Sequence, residues 1–247
     1  MGNEVLRVED ADIYVAGKRI LRKVNLSVGV GELHIVMGPN ASGKTTLLSA
    51  IAGVEPYEVR SGRVVLAGED ITNFPLHERV EKGLVLAYQN PPSFKGVKVS
   101  EILKWLRRKF NLDPSFTESL AEILDVHKLL GRDLFSGMSG GERKRLETYL
   151  TLSIMPKVAL LDEPDSGVDL DSVGRILEAV KLALKHGVSV VLVTHSTHML
   201  NLVRPLTNTV HLIFRGRLVF SGLYDEVVPL VIKRGFEGAA RALGRWC

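Results

Sequence analysis

The residues with the most direct chemical meaning form one short run between an apolar stretch and a helical pattern. The run consists of Gly38, Pro39, Asn40, Ala41, Ser42, Gly43, Lys44, Thr45 and Thr46, which matches the phosphate-loop spacing G-x-x-x-x-G-K-[ST]. Gly38 and Gly43 let the backbone turn so that several N–H groups surround a phosphate, and the following helix adds its own N-terminal N–H groups. Lys44 supplies a positive charge for the β- and γ-phosphates, and the Thr45 hydroxyl is a ligand suited to Mg²⁺. The run therefore predicts a site for a nucleoside triphosphate with its magnesium ion.

Two acidic residues, Asp162 and Glu163, follow the apolar run from Val158 to Leu161. Carboxylates at the tip of a buried strand are costly to bury unless a cation or a water molecule lies beside them. We expect Asp162 to contact Mg²⁺, and we expect Glu163 to orient or deprotonate the water that attacks the γ-phosphate.

Gln89 and His195 also stand at the ends of apolar strand patterns. Because ligands of parallel α/β sheets gather at the carboxyl ends of the strands, the Gln89 amide is well placed for Mg²⁺ or water, and His195 for sensing the γ-phosphate. A loop amide without a ligand and a packed or solvated histidine are the alternative interpretations. Gln89 is the only glutamine in the chain, which favours a functional role.

Two further features could contact a nucleotide. Ser139, Gly140 and Gly141 at the start of a helical pattern form a possible second anion site, although the same residues also make an ordinary turn and helix cap. Tyr14 lies upstream of the phosphate loop and could stack on a base, but a half-buried strand tyrosine fits the pattern equally well.

The elements that must position these residues indicate an α/β fold. Period-2 stretches between residues 4 and 30 predict short strands of an antiparallel sheet, at 5–8, 12–15, 19–21 and 24–28. Residues 100–155 carry helical spacing and no strand pattern, which predicts a helical lobe inserted into the α/β core. Further along, residues 210–222 predict a hairpin, and helical spacing runs from Glu226 to Trp246.

Composition places the chain among ordinary globular proteins. It has 247 residues, of which 45% are hydrophobic and 24% charged. No apolar run approaches the roughly 20 residues of a membrane span, and the first ten residues are too charged for a secretory signal, so we expect a cytoplasmic protein without direct membrane insertion. A net charge of +4 does not argue for nucleic acid as a partner. The single cysteine, Cys247, cannot form an internal disulfide, and the scarcity of Gln and Cys is typical of thermophile proteins.

Taken in order, the motifs resemble those of the ATP-binding cassette (ABC) ATPases over nearly the whole chain. The resemblance implies an ATPase with a P-loop (RecA-like) core, an antiparallel β subdomain and an inserted helical subdomain, in a single domain of residues 1–247. Its catalytic lobe would span about 1–90 and 156–247, and its helical lobe about 91–155.

By position, the resemblance implies roles for individual residues and two cofactors, ATP and Mg²⁺. The implied catalytic residues are Glu163, His195 and Lys44, and the implied magnesium contacts are Thr45, Gln89 and Asp162. In that family two subunits enclose two ATP molecules, so Ser139–Gly141 would close on the nucleotide of a second copy in an ATP-dependent homodimer. Asp169, in the dimer loop 165–169, is assigned to the nucleotide site on the same basis.

Several stretches are similar to the SufC ATPases of iron–sulfur cluster assembly, among them Ala87–Pro91, Phe135–Glu142 and Asp165–Asp171. This similarity implies a SufB/SufD-like scaffold as the partner that the ATPase drives. Ala41 departs from the usual glycine of the phosphate loop, and phosphate binding is expected to survive so small a change. The alternative is the nucleotide-binding subunit of an ABC membrane transporter. A DNA-processing ABC protein is disfavoured because the chain has no sustained heptads for a long coiled coil.

Overall fold

The N-terminal part of the chain forms a four-stranded antiparallel sheet in the order β2-β1-β4-β5. The structure is a computed structural model that describes residues 4–244. Trp246, where the predicted helical pattern ends, and Cys247 lie outside that range. The strands are β1 (Glu4–Val15), β2 (Lys18–Gly29), β4 (Tyr57–Leu66) and β5 (Glu69–Asp70).

The sequence predicts several short strands before the phosphate loop, and the strand boundaries in this prediction were wrong. β1 and β2 are each 12 residues long, and their pairing register shifts at several points. Asp10 and Lys23, with φ of 43° in both cases, lie at such irregularities. Apart from the turn at Gly17, the breaks that the sequence pattern predicts within residues 4–30 are therefore bulges within two continuous strands.

The second sheet is the core of the molecule and positions the chemistry. Its six strands follow the order β10-β9-β3-β8-β7-β6. They are β3 (Leu33–Met37), β6 (Leu84–Ala87), β7 (Val158–Asp162), β8 (Ser189–Val193), β9 (Thr207–Phe214) and β10 (Arg217–Gly222). β3, β6, β7, β8 and β9 run parallel, and the antiparallel β9–β10 pair confirms the predicted hairpin. Because β3, β6, β7 and β8 are parallel, the loops that follow them lie at the same edge of the sheet.

Helices cover this sheet and connect its strands. They are α1 (Lys44–Ala52), α2 (Leu76–Glu81), α3 (Val99–Phe110), α4 (Pro114–Ile123), α5 (Gly140–Leu152), α6 (Leu170–Lys185), α7 (Thr197–Val203) and α8 (Tyr224–Leu243). Between β6 and β7 the chain is helical, and α5 packs on α6 and on β6. Non-helical dihedral angles at Gly235 interrupt α8, whose Val227, Val228 and Ala239 are buried in the core. Within residues 4–244, no helix has the length and apolar character needed to cross a bilayer.

Apolar side chains alternate between two layers on either face of the six-stranded sheet. Leu33 and Ile35 of β3 pack with the layer that includes α5, α6 and α8, whereas Val36 packs with α1 and the antiparallel sheet. The parallel strands are buried on both faces, which explains why β7 and β8 are almost entirely apolar.

Candidate functional site

The phosphate loop connects β3 to α1 through two backbone positions that a larger side chain would disturb. A Cβ on Gly38 would collide with the carbonyl oxygen of Ile213, and Gly43 has a φ of 108° and lies against Leu21. Ala41 has a φ of 60°, so the one alanine at a usual glycine position adopts the left-handed conformation. The loop therefore keeps its turn at some cost in backbone strain.

Lys44 is buried within the loop that it follows. Its ammonium group donates to the carbonyl oxygens of Gly38 at 3.0 Å and of Pro39 at 3.1 Å. Burial lowers the pKa of Lys44, and the nearby carboxylates of Glu163 and Asp162 oppose that shift. A cation held among carbonyl oxygens and carboxylates at the N-terminus of a helix is placed to meet phosphate oxygens.

Asp162 ends β7 directly beside Thr45. The residue is 3% exposed, and its Oδ1 atom has no hydrogen-bond partner among residues 4–244. Desolvation is the main cause that raises the pKa of Asp162, and a hydrogen bond from Thr45 opposes the shift. A buried carboxylate oxygen without a donor, next to a hydroxyl group, matches the oxygen ligands that Mg²⁺ requires. These residues therefore fit a magnesium ion.

Glu163, Gln89 and His195 form one contact network although they come from three different loops. Gln89 Nε2 donates to Glu163 Oε2 at 2.6 Å, and His195 Nδ1 lies 3.2 Å from Glu163 Oε1. Glu163 has a φ of 48°, an uncommon conformation for a residue other than glycine. Gln89 thus uses its amide nitrogen on Glu163, and an amide oxygen is a suitable ligand for a cation.

These residues surround a cleft of about 480 Å³. It is lined by residues 40–46 together with Ile20, Gln89, Glu163 and His195, while Asp162 lies buried beneath it. The predicted phosphate, water and γ-phosphate contacts thus converge on one place. Tyr14 does not line this cleft, and the guanidinium of Arg60 lies 4.6 Å from its ring centroid. Base stacking by Tyr14 stays a prediction.

The second anion site, Ser139–Gly141, lies apart from this cleft at the start of α5. Ser139 caps the helix by accepting from the Glu142 N–H, and the Glu142 carboxylate accepts from the Ser139 N–H. A Cβ on Gly140 would collide with the carbonyl oxygen of Gly167. Asp169 caps α6 by accepting from the Ser172 N–H at 2.8 Å. The signature residues and the loop 165–169 are therefore packed together, away from this chain's own phosphate loop.

Two residues that the sequence motifs do not indicate, Lys144 and Glu147, contact the backbone next to the site. Lys144 and Glu147 belong to the charged run that starts at Glu142, and such a run normally indicates a solvated helix face. In the structure both are buried, and both contact the backbone of Tyr88, the residue before Gln89. The spacing of three residues, which puts them on the same side of α5, was the available signal.

Residues 21–166 match the family model described as "ABC transporter". The chain is 35% identical to vegetative protein 296 of Bacillus subtilis, over 99% of this chain and 96% of that protein. It is also 35% identical to an uncharacterised ABC transporter ATP-binding protein of Methanocaldococcus jannaschii, over 90% of each chain. These similarities extend over both the phosphate loop and the helical segment that carries Ser139–Gly141.

A solved structure agrees with the sequence relatives. The fold is similar to that of a nucleotide-free ATP-binding cassette from an ABC transporter, with a TM-score of 0.78 and 26% identity. The match covers 98% of this chain and 100% of the other.

Proposed function

This chain belongs to the ABC transporter family of ATP-binding proteins, and we propose that its ATPase site works with a second copy to drive a partner protein. The observation that carries the proposal is the convergence of the phosphate loop, Gln89, Glu163 and His195 on one cleft, with Asp162 beneath it. The enzyme is an ATPase, and the assignment of individual residues below is our proposal.

The loop N–H groups and Lys44 bind the phosphates of ATP. Thr45, Asp162 and the amide oxygen of Gln89 would hold Mg²⁺. The ion would neutralise charge that develops on the transferred phosphoryl group. Glu163 accepts a proton from the attacking water, and its contacts with Gln89 and His195 hold the carboxylate at the edge of the cleft.

The position of Ser139–Gly141 supports an ATP-dependent homodimer. These residues present helix N–H groups, yet they lie against Gly167 and away from the cleft of their own chain. An anion site that cannot reach its own nucleotide can reach that of a second copy in a two-fold arrangement. Closure of the dimer would then complete each site, and hydrolysis would reopen it.

The names of the relatives favour a membrane transporter as the partner that this ATPase drives. The Methanocaldococcus protein is described as an ABC transporter ATP-binding protein, and the family model is described as "ABC transporter". We therefore propose first that the chain is the nucleotide-binding subunit of a membrane transporter. The side chain of Phe94, shortly after Gln89, is exposed and available to a docked partner.

A second candidate is a SufC-like ATPase that acts on a SufB/SufD-like scaffold. It is favoured by the residues after Gln89, where Asn90-Pro91-Pro92-Ser93 is nearer the SufC pattern than the aromatic-Pro-x-x-Thr-Val pattern of importers. The relatives' names do not support this narrower assignment.

The experiment that separates the two candidates is affinity capture of the tagged chain from its own cells, with soluble and membrane fractions analysed separately by mass spectrometry. Recovery of a polytopic membrane protein supports the transporter subunit. Recovery of a SufB/SufD-like protein instead supports cluster assembly. The Phe94→Ser variant serves as a control, since the specific partner should be lost while MgATP binding persists.

A further inference from the structure

Two side chains of α5 hold the peptide groups on either side of Tyr88. The Tyr88 N–H donates to Glu147 Oε1 at 2.5 Å, and Lys144 Nζ donates to the Tyr88 carbonyl oxygen at 3.1 Å. Lys144 Nζ is also 3.5 Å from the carbonyl oxygen of Asp162. One helix therefore contacts the backbone immediately before Gln89 and immediately before Glu163.

Stability alone gives little reason for this arrangement. Glu147 is 5% exposed and Lys144 is 6% exposed. Their charged groups are 4.0 Å apart, and within the described part of the chain Glu147 Oε2 has no hydrogen-bond partner. Desolvation raises the pKa of Glu147 to about 7. Apolar residues of similar volume often replace a buried pair of this kind without loss of stability.

The groups that α5 contacts suggest a function for its buried Lys144 and Glu147. α5 begins at Gly140, which packs on Gly167, so a partner that contacts Ser139–Gly141 would bear directly on the N-terminus of α5. At its other contacts α5 holds Tyr88, and the next residue, Gln89, donates to Glu163. A rigid helix transmits a shift at its N-terminus to every group that its side chains hold.

We propose that Glu147 is a positioning residue that couples the position of the signature residues Ser139–Gly141 to that of Gln89 and, through Gln89, of Glu163. Glu147 is not among the residues that line the cleft, and it acts by holding the Tyr88 N–H. The inference rests on the proposed function in one respect, since it requires that Ser139–Gly141 meet the nucleotide of a second copy.

The test compares two substitutions that differ in one hydrogen-bond acceptor. Glu147→Met removes the acceptor at similar length, whereas Glu147→Gln keeps an oxygen for the Tyr88 N–H. We expect kcat for ATP to fall at least about tenfold in Glu147→Met and to stay within about threefold in Glu147→Gln, because misplacement of a catalytic group acts on turnover. The Kd of the monomer for a fluorescent ATP analogue should change less than about twofold in both, since the phosphate loop is untouched.

Thr148→Val is the matched control, because Thr148 is the next residue of α5, is also buried, and its hydroxyl donates to the Lys144 carbonyl oxygen within the same helix. Its kcat should equal that of the wild type. Three results would each overturn the proposal: wild-type kcat in Glu147→Met, an equal loss in Glu147→Gln, or a Kd that weakens in proportion to kcat. A wild-type chain without ATPase activity would instead count against the proposed function.

Hydrogen exchange of the wild-type dimer tests the same idea without a variant that could fail to fold. On titration with a non-hydrolysable ATP analogue, peptides covering 84–92 and 139–147 should change protection over the same concentration range. If one segment changes and the other does not, the two are not coupled and the proposal is wrong.

Discussion

Asp162 combines burial with an oxygen atom that has no hydrogen-bond donor within residues 4–244, and such an oxygen is suited to a cation. Asp162→Asn keeps the shape and the contact with Thr45 but removes the charge. We expect the Mg²⁺ concentration for half-maximal ATPase activity to rise at least about tenfold, because a carboxylate ligand is lost. Without nucleotide, the melting temperature should be unchanged or higher, since a buried charge is removed. A lower melting temperature with an unchanged Mg²⁺ requirement would contradict the assignment.

Glu163 is placed to act on water at the edge of the cleft. Glu163→Gln retains the side-chain volume but cannot accept a proton, so kcat should fall at least about 100-fold. ATP binding should persist, and the ATP-bound dimer should accumulate in size-exclusion chromatography. Glu178→Gln is a suitable control because Glu178 lies on the exposed side of α6 and pairs only with Lys181 among the contacts described. Wild-type turnover in the Glu163 variant would exclude Glu163 as the base.

At the scale of elements, a chain of hydrogen-bonded polar side chains links β3, β9 and β10 outside the ATP site, and its two histidines, His34 and His211, are buried. His34 Nδ1 lies 2.8 Å from His211 Nε2, His34 Nε2 lies 2.8 Å from Glu32 Oε2, and His211 Nδ1 lies 2.7 Å from Ser221 Oγ. If Glu32 is ionised it can only accept, which fixes the direction of every proton: Ser221 donates to His211, His211 to His34, and His34 to Glu32. The chain lines a cleft of about 770 Å³ between the two sheets.

This polar chain makes the stability of the sheets depend on pH. Desolvation lowers the pKa of His211 to about 3, and burial lowers the pKa of His34 as well. Below the unfolded-state histidine pKa of about 6.5, the unfolded chain binds a proton at His211 that the folded chain excludes. From His211 alone, the free energy of unfolding should therefore be about 2 kcal/mol lower at pH 5 than at pH 7.5.

Urea unfolding at the two pH values measures this difference. It should shrink in His211→Asn and persist in His198→Asn, because His198 is exposed on α7. If His211→Asn shows the same pH dependence as the wild type, then His211 is not the titrating group.

At the scale of the whole molecule, the separation of Ser139–Gly141 from the cleft predicts shared sites. Lys44→Ala destroys the phosphate loop and Ser139→Phe destroys the signature, so each variant alone should be inactive. In an equal mixture, half of the dimers are mixed and each carries one intact composite site, so activity should return to about a quarter of the wild-type value.

One result of the mixing experiment would contradict the prediction that two chains share each site. If both variants fold and form mixed dimers, but the mixture shows no activity, then each site is built from one chain. Melting temperatures of the separate variants exclude misfolding as the cause, since loss of the Ser139 cap alone costs only about 1 kcal/mol.

The sequence by itself determined the features that depend on local chemistry. The phosphate loop follows from its glycine spacing between a strand and a helix, and the acids of β7 follow from an apolar run that ends in two carboxylates. The hairpin of β9 and β10 follows from alternation around Arg215 and Gly216. In each case the residues that define the feature are neighbours in the chain, so their types and spacing are sufficient.

Only the tertiary structure decided which distant groups meet. The sequence pattern predicts four short strands between residues 4 and 30, whereas pairing on both sides of β1 keeps β1 and β2 continuous through their bulges. Lys144 and Glu147 looked like part of a solvated helix face until α5 packed against β6. The contact of Gln89 with Glu163 joins residues 74 positions apart. Such contacts depend on how sheets and helices pack, and packing energy is shared among many residues that no local pattern contains.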